Sequence, residues 1–248
     1  MFQKNFFNYQ KKINLKYFKD YNFMSFTLNE KVLKMLNEQV VNLFNFNENK
    51  NFKKIEEVQK FLNKIKFYSL KRNLNIMTNI EKIIFNHFSN LKIFGKHIEG
   101  IQFPIDIRIV HPAEPKQMKI KKYLTSSIHC DTWTEEPTDI INVIIYLVVK
   151  KNTPKVRLLK SNKDDLLRYG KYPKLYKKKF FLYSKKYFDV LEELEKIENY
   201  DINHRDGEVL IFNGFTPHQT IREGNEVRLS LEFRLKTINP YKTFNLWK

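Results

Sequence analysis

Of the 248 residues, 42% are hydrophobic and 15% aromatic, enough for a sizeable core and too many for a disordered chain. The net charge of +18 comes from lysines spread over most of the chain, so a solvated basic surface accounts for it as well as a nucleic-acid or anionic-membrane footprint does. The lone cysteine, Cys130, excludes an internal disulfide framework and a cysteine-rich zinc site.

The first stretch, "MFQKNFFNYQKK", mixes charge with aromatics where a signal peptide has a continuous apolar region. No apolar run approaches the roughly 20 residues of a membrane-spanning helix. The expectation is a soluble cytoplasmic protein, one domain over 1–248. Residues 1–95 read as mainly helical. In "TLNEKVLKMLNEQVVNLF", Thr27 and Glu30 form a capping-box pattern, and Val32, Leu33, Leu36, Val40, Val41 and Leu43 suit one helical face. "NFKKIEEVQKFLNKIKF" and "NLNIMTNIEKIIFNHFSNL" predict two more helices, and no Gly or Pro occurs before Gly95.

After Gly100 the pattern changes. Strands are expected over 105–110, 118–124, 142–149, 155–160, 208–213 and 227–235, punctuated by Pro and Gly in "HPAEP", "EEP", "RDGE", "NGFTPH" and "REGNE". No helices alternate with them as in a parallel sheet, so 96–240 reads as a mainly β core with α additions, an antiparallel sandwich or jelly roll. Residues 161–205 are Lys- and Tyr-rich, end in a helical pattern, and read as a lid-like insertion or a solvated flank. The last strand alternates, which places Arg228, Ser230, Glu232 and Arg234 on one face.

His129 and Asp131 lie two apart just before an apolar strand, so in extended chain they project to the same side. Two ligands hold a metal weakly, and His218, beyond the 208–213 strand and a Gly/Pro turn, is the candidate third. Two histidines and a carboxylate form the facial triad of non-haem Fe(II) oxygenases, leaving open positions for a bidentate co-substrate and dioxygen. Arg228, ten residues past His218, suits the far carboxylate of a dicarboxylate, because a guanidinium fork pairs with carboxylate geometry. Ser230 adds a hydroxyl on the same face.

His129-x-Asp131, then His218 preceded by "GEVLIFNGFTP", then Arg228-x-Ser230, in this order and strand context, resembles the Fe(II)- and 2-oxoglutarate-dependent oxygenases over about residues 100 to 236. "HCDTWTEEP" and "RLSLEFR" look most like the phytanoyl-CoA-hydroxylase-like branch, especially its members in aminoglycoside and other small-molecule biosynthesis. The resemblance implies a double-stranded β-helix, cupin-like, with N-terminal helices and a helical insertion. It also implies Fe(II) held by His129, Asp131 and His218, 2-oxoglutarate anchored by Arg228, and dioxygen. The implied outcome is decarboxylation to succinate coupled to oxidation of a C–H bond, a hydroxylation or another oxidation.

Other residues carry looser expectations. Thr220 could touch the co-substrate carboxylate, although a β-branched residue is at home in any strand. Asn142 and Arg108, on strands that could line the barrel, could hold co-substrate or substrate, or be structural. Trp133 could wall the substrate pocket or pack under a loop. Cys130 should point away from the metal. The expected partner is a small molecule, anionic if the basic insertion covers it. A nucleic-acid dealkylase of the same superfamily is the alternative that the net charge and Arg234 favour, although no basic stripe interleaved with aromatics supports it. A non-catalytic metal-binding β-barrel is the other, which would leave Arg228 and Ser230 unexplained.

Overall fold

The computed structural model describes residues 23–89, 91–93, 96–112, 128–131, 140–160, 185–214 and 216–237. Nine strands are described: β1 (Phe23–Thr27), β2 (Lys92–Ile93), β3 (Lys96–Ile101), β4 (Asp106–Val110), β5 (Ile140–Val148), β6 (Lys155–Leu158), β7 (Glu208–Asn213), β8 (His218–Ile221) and β9 (Arg228–Thr237). Four helices accompany them: α1 (Glu30–Glu48), α2 (Ile55–Leu62), α3 (Leu74–Phe88) and α4 (Lys185–Glu195). Seven strands form one sheet in the order β1-β7-β5-β9-β3-β2, with β4 also on β9. Strands β6 and β8 make a second, antiparallel sheet, extended by an isolated bridge from His218 to His129.

Strand alternation gives the large sheet two apolar faces with different partners. One face, including Val143, Ile145, Val209, Ile211, Leu229 and Leu231, packs with the buried stripes of α1 (Leu36, Val40, Leu43, Phe44) and α3 (Ile80, Ile84, Phe88). Each such side chain contributes roughly 1.5–3 kcal/mol on burial. The other face turns Phe23, Ile144, Tyr146, Leu210 and Phe212 toward Val156 and Leu158 of the second sheet. The polar site lies between the two sheets, and the helices support it from behind.

The register orders the inner face into rows. Phe23 pairs with Phe212, Phe212 with Asn142 and Asn142 with Arg234. The next row joins Leu210, Ile144, Glu232 and Asp106, and the one after it Tyr146, Ser230 and Arg108. Successive rows are about 6.8 Å apart along the strands. The start of β9 is fixed from outside the sheet. Gln59 Nε2 donates to the Val227 carbonyl and the Val227 N–H donates to Asn63 Oδ1, both at 2.7 Å.

The structure departs from the expected elements in several places. The segment 1–95 is not helical throughout, because β1 and β2 lie within it. Phe23–Thr27 pairs with β7 and buries Phe23 on one face of the sheet and Met24 and Phe26 on the other, so it is an edge strand. Thr27 therefore does not cap α1. Asn29 does, its side chain accepting from Lys31 N–H, and Glu30 becomes the first helical residue where a capping box needs the third. Strands β3 and β8 were not anticipated, and the expected strand over 118–124 lies outside the described residues. Of the expected insertion, α4 is described. Just beyond α4 the chain is tied to β6, with Tyr200 N–H donating to the Leu158 carbonyl at 2.9 Å. No described helix is long and apolar enough to cross a membrane.

The turn into β9 rests on Gly224, whose φ of 91° lies in the left-handed region and whose missing Cβ would stand 2.1 Å from the Asn152 carbonyl oxygen. That carbonyl accepts from the N–H groups of Asn225 and Glu226, which follow in the same turn. Gly224→Ala should therefore destabilise the fold by about 2 kcal/mol or more. Thermal or denaturant unfolding would check this, and an unchanged midpoint would contradict it.

Candidate functional site

The three expected ligands converge. His129 N–H donates to the His218 carbonyl at 2.9 Å and His218 N–H donates back to His129 at 2.8 Å. Two residues that exchange both backbone bonds face each other in an antiparallel pair and put their side chains on one side. The imidazole centroids are 4.3 Å apart. Asp131, two residues on, reaches the same spot, with Oδ1 3.7 Å from His129 Nε2 and 3.6 Å from His218 Nε2. One donor atom from each residue lies within 4.8 Å of the others, a spacing that could hold a metal ion.

The surroundings prepare these atoms as ligands. His218 Nδ1 lies 2.8 Å from the Thr216 carbonyl, which can only accept, so Nδ1 carries a proton and Nε2 is the nitrogen left to face Asp131. The Phe212 ring packs against the His218 ring at 4.8 Å. Asn142 Nδ2 donates to Asp131 Oδ2 and leaves Oδ1 for the histidines. Burial alone would raise the Asp131 pKa. His218, His129, the Asn142 amide and Arg234 outweigh it and hold the carboxyl below its ordinary range. Cys130 is fully buried, and burial together with the Asp131 charge pushes its thiol pKa well up, so it stays a thiol and takes no part.

A cavity of 450 Å3 runs from the triad between the sheets. Asn142, Thr220, Arg108 and Arg228 border it, as do Glu232 and Arg234. Arg228 is 1% exposed, and its guanidinium carbon lies 5.6 Å from the Tyr146 ring centre. It donates from Nη2 to Glu232 Oε1 at 3.2 Å, while Nε and Nη1 are buried without a hydrogen-bond partner among the described residues. Unsatisfied donors on a buried cation are costly, and an anion in the cavity would satisfy them. Ser230, also buried, donates to the same Glu232 oxygen at 3.2 Å.

The remaining expected residues fall into place unequally. Thr220 is half-buried on β8 and borders the cavity, opposite Val156. Arg108 is half-exposed and pairs with Glu232 Oε2 at 2.9 Å. Trp133 lies outside the described residues. Three contributors were not singled out from the sequence. The Thr216 carbonyl gives no residue-type signal. Tyr146 was hidden in a continuous apolar run. Glu232 was visible in the alternation of β9 but had no assigned partner.

No protein-family model matches the chain, and no curated protein does. Among solved structures, it is similar to a prolyl hydroxylase from Trichoplax adhaerens in complex with a hypoxia inducible factor oxygen degradation domain peptide, with 11% identity and a TM-score of 0.49 over 100% of this chain and 97% of that one. It is also similar to the non-heme alpha ketoglutarate dependent carbocyclase SnoK of nogalamycin biosynthesis, with 12% identity and a TM-score of 0.48 over 91% of this chain and 83% of that one. A Pseudomonas putida prolyl-4-hydroxylase aligns at 9% identity and a TM-score of 0.38, over 87% of this chain and 92% of that one. Likenesses of this size assign neither activity nor substrate, and the functional reading rests on the site.

If Asn142 orients Asp131, Asn142→Ala should weaken Mn(II) binding about 10- to 100-fold with the circular dichroism spectrum unchanged. Paramagnetic titration of free Mn(II) measures it, and wild-type affinity in the variant would remove Asn142 from the site.

Proposed function

We propose that the chain is an Fe(II)- and 2-oxoglutarate-dependent oxygenase of the phytanoyl-CoA-hydroxylase-like kind, acting on a small molecule. One observation carries the reading: the His129–Asp131–His218 cluster shares a cavity with a buried Arg228 whose Nε and Nη1 lack partners among the described residues. A metal site with a purely structural role needs no such cation. Two antiparallel sheets packed face to face around that cavity support the double-stranded β-helix expected from the sequence.

The donor set fits the implied groups. His129, Asp131 and His218 would hold Fe(II), two neutral nitrogens and one anionic oxygen leaving positions open. When bound, iron with 2-oxoglutarate and dioxygen supplies oxidation of a C–H bond coupled to decarboxylation of the co-substrate to succinate. The chain's own residues do the rest. Thr216 fixes the His218 tautomer, and Asn142 holds Asp131 in place. Arg228 and Ser230 seat the far carboxylate, at a depth set by the row spacing of β9. Thr220 borders the same space from the second sheet. Ile144, Val156 and Phe212 line the cavity with apolar surface that limits water. Arg108 and Arg234, on β4 and β9 beside Asp131, favour a substrate with a carboxylate or phosphate group.

The test is an anaerobic titration of the apo-protein with Fe(II) and 2-oxoglutarate, following the visible charge-transfer absorption of the chelate. The wild type should develop the band, His218→Ala should not, and Arg228→Ala should need about 10- to 100-fold more 2-oxoglutarate, as expected for loss of a charge-assisted contact. Iron bound without a band, or an Arg228→Ala titration that matches the wild type, would refute the reading.

A further inference from the structure

The β9 side chains facing the cavity are basic or neutral except at one position. Arg228, Ser230 and Arg234 suit an anionic ligand, yet Glu232 stands among them. Its carboxylate is held at both ends. Oε1 accepts from Arg228 Nη2 and from Ser230 Oγ, each at 3.2 Å, and Oε2 accepts from Arg108 Nε at 2.9 Å. Burial alone would raise its pKa, but Arg108 and Arg228 outweigh burial and hold it below the ordinary carboxylate range, so it is an anion. Glu232 thus occupies, with one oxygen, the Ser230 hydroxyl and one of the three Arg228 nitrogens, donors that a dicarboxylate's far end would use.

Its place in the rows sharpens the conflict. Asn142, bonded to Asp131, pairs with Arg234, while Tyr146 pairs with Ser230. Glu232 pairs with Ile144 between them, one row nearer the triad than Ser230. Any ligand stretching from the triad to Arg228 must pass over Glu232. Two carboxylates cannot share these donors in a partly desolvated cavity without strong repulsion.

We infer that Glu232 is a tethered competitor for the co-substrate's far carboxylate, an affinity-setting residue that must yield Ser230 and Arg228 Nη2 for 2-oxoglutarate to take its full set of donors. This inference rests on the oxygenase reading above. Arg108 is where the carboxylate goes. It already holds Oε2, it is 49% exposed, and it can take both oxygens in a bidentate pair. The two partners of Glu232 therefore pull in opposite directions. Arg228 and Ser230 keep it in the co-substrate seat, and Arg108 draws it out.

The opposed pulls give the test its sign. Calorimetric binding of 2-oxoglutarate to the Mn(II)-loaded protein, without oxygen, is compared for the wild type, Glu232→Gln and Arg108→Gln. Glu232→Gln removes the competing charge and should tighten binding at least about tenfold, a 1.4 kcal/mol change. Arg108→Gln removes the receiving group and should weaken binding about fivefold, equivalent to roughly 1 kcal/mol. Pyruvate, which chelates through the same oxo-acid end but lacks the far carboxylate, should bind all three proteins alike. A purely structural Glu232 predicts unchanged or weaker 2-oxoglutarate binding in Glu232→Gln, and that result would overturn the inference. Should Glu232→Gln fail to fold, Arg108→Gln decides, since unchanged or tighter binding there contradicts it. Failure of the oxygenase reading shows separately, as wild-type 2-oxoglutarate affinity in Arg228→Ala.

Discussion

The pair of backbone hydrogen bonds between His129 and His218 is the contact on which the site depends. The two residues are far apart in the chain, and nothing in either local segment brings the imidazoles together. Exchange of N–H and carbonyl groups across one antiparallel bridge sets both side chains on the same side and close together. Asp131, two residues on and outside the bridge, reaches the same point from the turn that follows. Such a bridge positions ligands better than side-chain contacts alone would, because slipping it by one residue would turn the imidazoles to the opposite face.

The large sheet divides its labour by face. The outward face is apolar and packs against the helices, so it can supply rigidity without regard to chemistry. The inward face carries a graded set, from Asn142 and Arg234 beside the ligands to Ser230, Tyr146 and Arg228 further in. Burying a guanidinium is unfavourable unless it is paired. Here Glu232 and the Tyr146 ring offset part of that cost, and the remaining donors are left for a ligand. The α2 contacts to Val227 hold the adjoining backbone, so the helical layer reaches the site through β9.

How much was legible in the sequence follows from what the signals depend on. Local alternation on 227–235 was enough to put Arg228, Ser230, Glu232 and Arg234 on one face, as the register bears out. The spacing of His129 and Asp131 was equally readable, and His218 joined them through motif order and not through local pattern. Strand β1 was missed because "FMSFT" buries residues on both faces and so lacks alternation. The cap of α1 was misplaced because Thr27 is held by pairing with Glu208, a long-range partner that no local pattern announces. The same holds in part for Glu232, whose residue type was plain and whose Arg228 and Ser230 donors share its strand, but whose third donor, Arg108, comes from β4.

In the proposed site, one cavity brings a metal held by His129, Asp131 and His218 together with a carboxylate held by Arg228. A crystal structure of the protein with Mn(II) and 2-oxoglutarate, grown without oxygen and read by anomalous scattering, tests it most directly. The expected result is a single strong anomalous peak between the two His Nε2 atoms and Asp131, with the far carboxylate of the ligand on Arg228 and Ser230. A metal peak elsewhere, or a ligand whose far carboxylate avoids Arg228, would contradict it.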